Sequence, residues 1–173
     1  MIWTAPDVTR IDEPFAGDER ATLDGFLDWY RGTLLLKCAG LSAEQLAERS
    51  VPPSNLSLLG MVRHMTEVER SWFGRRFAGE DVERVYNSDE RPDADLDDVL
   101  PETAEAAFAV YAAELERCRA AVADHALAET FTNPRPGVPM SLRWVYVHMI
   151  EEYARHCGHA DLIRERIDGA VGP

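Results

Sequence analysis

Apolar residues recur every three or four positions over four long stretches of this chain. That spacing admits little besides helices packed side by side. Leu23, Phe26, Leu27, Tyr30, Leu34 and Leu35 mark the first stretch. Leu58, Met61, Val62, Met65, Val68 and Trp72 mark the second, and Ala107, Phe108, Tyr111, Leu115 and Val122 the third. The fourth opens after Ser141 and runs to about Ile167. The punctuation agrees with this reading. Asp18 stands where an N-cap belongs and Gly40 where a helix ends. Ser42 with Gln45 matches a capping box, opening a short helix closed by Val51-Pro52-Pro53. Ser54 or Ser57 caps the second long helix, and Ser141 the last. The predicted long helices are therefore Glu19 to Ala39, the Ser cap to about Phe77, about Glu102 to Asp124, and Ser141 to Ile167. No stretch alternates convincingly as a strand does. The expected fold class is all-α, a four-helix bundle.

The remaining segments connect these helices. Residues 1–17, with Pro6, Pro14 and Gly17, read as an extended N-terminal arm. Ala78 to Pro101 is rich in acid, with Asp81, Asp89, Glu90, Asp93, Asp95, Asp97 and Asp98. It reads as a solvated crossover with little regular structure. Phe131 to Pro139 holds three prolines and a glycine, and reads as a loop. Gly60 lowers helix propensity inside the second helix, which marks a close backbone contact. At 173 residues the chain is expected to form one domain over 1–173.

Charge narrows the partners. Eighteen basic residues against 31 acidic ones give a net charge of -13. No cluster of Lys and Arg is available to neutralise a row of phosphates or an anionic membrane surface, so neither nucleic acid nor membrane is an expected partner. No apolar run approaches a membrane span, and the N-terminus lacks the pattern of a secretory signal. Cys38, Cys118 and Cys157 form neither a zinc knuckle nor a redox pair. A reducing cytoplasm is the expected location.

The chemistry concentrates in the fourth helix, in the run from Val147 to His159. With Glu152 as origin, His148 lies about 40° to one side of the helix and His156 about 40° to the other. His159 is within about 20° of Glu152 but about 10 Å along the axis. Imidazole and carboxylate on one stripe suit a divalent transition metal. One ion can take Glu152 with His156, or His148 with Glu152. A third ligand must then come from another helix, and His64 in Arg63-His64-Met65-Thr66-Glu67 is the candidate. The alternative is a hydrogen-bonded network among Glu152, His156, Arg155 and a tyrosine hydroxyl, with His64 a satisfied boundary residue. Glu67 is either an acceptor behind His64 or a solvent-facing acid. His125 reads as surface, and the three cysteines as packing. Trp72, Trp144 and Tyr146 read as core or boundary aromatics that could also wall a pocket.

Two segments, Ser54–Arg70 and Met140–Asp161, carry a resemblance that extends over nearly the whole chain. Together they resemble the DinB-like superfamily, and within it the small actinobacterial mini-circle proteins. The resemblance implies a four-helix bundle that often dimerises. It also implies a metal site of three histidines, one on the second helix and two spaced four apart on the fourth. His64 and His156 match that pattern, whereas Glu152 stands where the remaining histidine is usual. The mycothiol-dependent maleylpyruvate isomerases, a related branch, use a His/Glu/His set. The resemblance thus implies His64, Glu152 and His156 as ligands of zinc or nickel. No segment after the fourth helix corresponds to the second domain of those isomerases, which counts against isomerase activity itself.

Three ligands leave an open position, as in catalytic zinc sites. The leading expectation is a thiol-dependent transferase. The metal lowers the pKa of mycothiol or bacillithiol, and the thiolate attacks a small electrophile. His159 and His148 are candidates for proton transfer, and Arg63 and Arg155 for holding an anionic substrate. A metal-dependent hydrolase working through activated water is the first alternative. A non-catalytic metal-binding or stress protein is the second. A homodimer is expected from the resemblance alone.

Overall fold

The computed structural model describes residues 3–133 and 137–172. It is mostly helical, and the four long periodic stretches form its long helices. Helix α1 spans Glu19–Cys38, with the Asp18 carboxylate accepting from the Ala21 amide. The short α2, Ala43–Ala47, opens with the Ser42/Gln45 capping box. Helix α3, Leu58–Glu69, is capped by the Ser57 hydroxyl. It continues as a π-helix over Arg70–Phe77, so the second stretch reaches the expected end with wider final turns. Helix α4, Ala94–Asp97, lies in the crossover, and α5 spans Ala104–Val122. Helix α6 runs from Leu142 to Asp168 and ends at Gly169, whose φ of 79° is left-handed.

Helix α1 packs along α6 and α3 along α5, and α3 also meets both α6 and α1. Their inner faces carry the core: Leu27 and Leu34, Met61 and Met65, Tyr111 and Leu115, Met149 and Tyr153. The N-terminal arm is tied down at its start. The Ala5 amide donates to the Leu41 carbonyl, and the Gly40 amide to the Ala5 carbonyl, both at 2.9 Å. Gly40 accepts this geometry because its φ is 75°.

Two expectations are corrected. The sequence offers no convincing strand, yet Thr130–Thr132 (β1) pairs antiparallel with Pro139–Ser141 (β2). Three-residue strands are too short to display alternation, and the predicted loop, Phe131 to Pro139, takes in the last two residues of β1, the connection and the first residue of β2. Its residues 134–136 lie outside the described residues. The acidic crossover is not uniformly solvated either. Ala94 and Asp95 are buried, because α4 lies against α3. Gly60 makes room for this: a Cβ there would meet Val99 Cγ2 at 3.3 Å and the Leu96 carbonyl oxygen at 3.4 Å. No helix among the described residues is long and apolar enough to cross a membrane.

Candidate functional site

The packing of α3 on α6 brings His64 and His156 together. Their ring centres are 4.9 Å apart. The expected carboxylate is beside them, with Glu152 Oε2 at 3.7 Å from His156 Nε2. Its other oxygen lies 3.6 Å from His148 Nε2. Both gaps are too long for hydrogen bonds. Two ligands of one tetrahedral ion, each about 2.1 Å from it, stand roughly 3.3–3.7 Å apart. The third imidazole of the stripe, His159, meets the edge of the His156 ring at 5.4 Å.

The protonation of His156 also suits ligation. His156 is buried, and its pKa is lowered to about 4, first by burial and then by the neighbouring imidazoles of His64 and His159. It is neutral at any physiological pH, the form that offers a lone pair. Among the described residues the Nδ1 atoms of His156 and His159 are buried without a hydrogen-bond partner. Such orphaned nitrogens are costly unless something pairs with them. The donor set therefore fits a divalent cation in its chemistry. As the side chains stand, no group of three or more His, Cys, Asp or Glu among the described residues is arranged to hold one. Side-chain rotation would have to draw these groups closer before they could share an ion. Among the described residues the Glu152 side chain makes no hydrogen bond, so none anchors its carboxylate.

The hydrogen-bonded alternative does not form as drawn. Arg155 is exposed and pairs with Glu151 at 3.3 Å, and the Tyr153 hydroxyl donates to Glu69 at 2.8 Å. Neither joins Glu152 to His156. Arg63 is committed elsewhere. Its guanidinium donates to the Ala94 carbonyl at 3.0 Å and to the Asp98 carbonyl, and lies over the Tyr86 ring. It straps α4 to α3. Glu67 does similar work, its Oε1 accepting from the Val85 and Tyr86 amides at 2.6 Å each.

His148 sits in an aromatic corner. Its ring stacks on Trp144 at 4.9 Å and meets Trp72 edge-on at 4.6 Å. Of the three aromatics read as core or boundary, Tyr146 is buried, whereas Trp144 is 43% exposed. A hollow lined by Trp72, Val138, Met140 and Trp144 opens beside it. His125 is exposed, as expected, and contacts Glu129. The three cysteines are free and buried.

One residue escaped the sequence reading. Asp95, 2% exposed, places Oδ2 at 2.8 Å from His64 Nδ1. Nothing in a run of acids marks one member as buried. The available signal was indirect: a histidine at the edge of an apolar stripe needs an acceptor, and the crossover is the nearest source of carboxylates.

The fold and this cluster define a helical protein with an imidazole–carboxylate site between two of its long helices. The family model for mycothiol-S-transferase matches residues 22–169, and the chain belongs to that family, which is DinB-like. Comparison with the curated proteins and with the solved structures gives no match.

Proposed function

We propose that this protein is a metal-dependent transferase that joins a low-molecular-weight thiol to a small electrophile. The family match supports the thiol chemistry with mycothiol; bacillithiol is the second candidate thiol. The observation that supports the metal is the approach of both His64 and Glu152 to His156, with His156 held neutral. These three residues would hold zinc or nickel. A divalent cation there supplies Lewis acidity that lowers the pKa of a thiol brought to it.

The chain's own groups do the rest. His159, with its unpaired buried Nδ1, receives the thiol proton and passes it to solvent. The sulfur attacks the electrophilic carbon; a C–S bond forms, and the carbon's bond to its leaving group breaks, the electron pair departing on the leaving group, which is released to solvent as an anion. Trp72 and Trp144 give the electrophile an apolar wall beside His148, which adjoins Glu152. Arg63, strapped to α4, is not in this scheme. The same reading takes residues 1–173 as one domain, a four-helix bundle with a long crossover, working in a reducing cytoplasm and paired as a homodimer.

The test is thiol addition to a panel of small electrophiles, with protein loaded with zinc or nickel and with chelated protein. The expected result is a rate above buffer that needs both thiol and metal. A rate equal to buffer across the panel overturns the proposal. Hydrolysis that needs metal but no thiol selects the hydrolase instead.

A further inference from the structure

We propose that Asp95 is a positioning residue: it fixes the tautomer and orientation of His64, so that Nε2 carries the ring's only lone pair. The inference rests on the reading of His64 as a ligand, and extends the site to the crossover between the π-helix and α5. Its basis is geometric. Asp95 Oδ2 stands 2.8 Å from His64 Nδ1; a carboxylate that only accepts makes Nδ1 the donor, and that is the tautomer we assign. The other oxygen, Oδ1, receives the Leu96 amide at 3.1 Å. Asn87 Nδ2 stands at 3.5 Å from Oδ2, at the limit of reach. A carboxylate that is 2% exposed has therefore one side-chain partner at close range, and that partner is His64.

The surroundings hold the carboxylate in place. Arg63, the residue before His64, grips the carbonyls of Ala94 and Asp98 on either side of Asp95. Glu67, nearly one turn further along α3, anchors the amides of Val85 and Tyr86. Gly60 lets Leu96 and Val99 approach the helix. Three positions of α3 thus serve to seat a segment whose one buried acid meets the histidine between them. Among the described residues the other imidazole–carboxylate contacts are exposed, as at His125, or longer than a hydrogen bond, as at Glu152. A carboxylate behind a ligating imidazole fixes its tautomer and raises its basicity, and losing one typically costs 10–100-fold in metal affinity.

The test has two readouts. The first uses metal-free protein at pH 8 and nitrogen NMR of its histidine rings, with His64→Gln used to assign the His64 signals. The expected result is an Nδ1–H tautomer for His64 in the wild type and its loss in Asp95→Ala. The second is zinc affinity by competition with a chromophoric chelator. It is expected to fall about 10–100-fold in Asp95→Ala and less in Asp95→Asn, whose amide oxygen still accepts one bond. Asp95→Asn also serves if the alanine variant fails to fold. A wild-type His64 protonated on Nε2, or a tautomer unmoved in folded Asp95→Ala, overturns the inference. So does unchanged zinc affinity in both folded variants. If wild-type protein takes up no zinc, the metal reading fails by itself, and the tautomer measurement still decides the role of Asp95.

Discussion

His64 of α3 and His156 of α6 face each other with ring centres 4.9 Å apart, close enough to act on one ion. Each of the substitutions His64→Ala, Glu152→Ala and His156→Ala should therefore lower the metal bound by purified protein. The loss should exceed the roughly 10–100-fold expected of an outer partner. Elemental analysis after dialysis against sub-stoichiometric chelator reads this directly. Wild-type metal content in any one variant would remove that residue from the ligand set.

A second buried cluster supports the helices without joining this site. Arg31 Nε and its terminal nitrogen reach the two oxygens of Glu69 at 2.8 and 2.7 Å, and the Tyr153 hydroxyl adds a third bond. Tyr111 completes the chain at 2.8 Å from Tyr153. Removing one partner strands the other charge, so Arg31→Met should cost about 3–5 kcal/mol. That corresponds to a Tm lower by on the order of 10 °C for a protein of this size. The double variant Arg31→Met/Glu69→Leu should lose less than the sum of the two single changes, because no charge is left alone. Additive losses in a denaturation series would show that the two residues are not coupled.

Much of this architecture is legible in the sequence, for reasons that differ by residue. Caps were readable because Asp18, Ser57 and Ser141 pair with amides three positions away, so the information is local. The stripe of α6 was readable because helical geometry alone sets Glu152 and His156 on neighbouring faces. Glu69 and Arg31 were also detectable, since each interrupts an apolar face: Glu69 between Met65 and Phe73, Arg31 between Leu27 and Leu34. Asp95 and the roles of Arg63 and Glu67 were not. Those depend on where a crossover lands in space, and no local pattern encodes the landing point of a segment whose acids look alike. The hairpin escaped because its strands are three residues long.

The protein's own cysteines should take no part in thiol transfer. Burial pushes the Cys38 and Cys157 thiols up to about 12, and raises Cys118 as well. Reactivity needs the thiolate, so native protein at pH 8 should resist a disulfide reagent that labels all three after unfolding. Cys38→Ala should retain thiol-transfer activity. The same shifts fix a sign for stability. A thiol that titrates near 8.5 when unfolded and near 12 when folded holds its proton longer in the native state. Its contribution is complete below about pH 8.5 and is lost as the pH rises toward 12. Alkaline melting curves should show Cys38→Ala losing less stability across that window than wild type. Fast labelling of the native protein at pH 8 would contradict the buried placement.

Trp144 tests the electrophile's side of the site. It stacks on His148 with ring planes 15° apart and remains 43% exposed, so it can be removed without opening the core. An aromatic contact contributes about 0.5–1.5 kcal/mol, which converts to roughly a 2–10-fold change in binding. Trp144→Ala should raise KM for an aromatic electrophile by that factor, leave KM for the thiol near its wild-type value, and change Tm little. An electrophile with no ring should lose less. This split separates a wall that binds substrate from one that merely holds His148 in place: loosened His148 would depress kcat for every electrophile alike. Equal losses across aromatic and non-aromatic electrophiles would therefore assign Trp144 to the positioning of His148, and the substrate wall to Trp72 or to another surface.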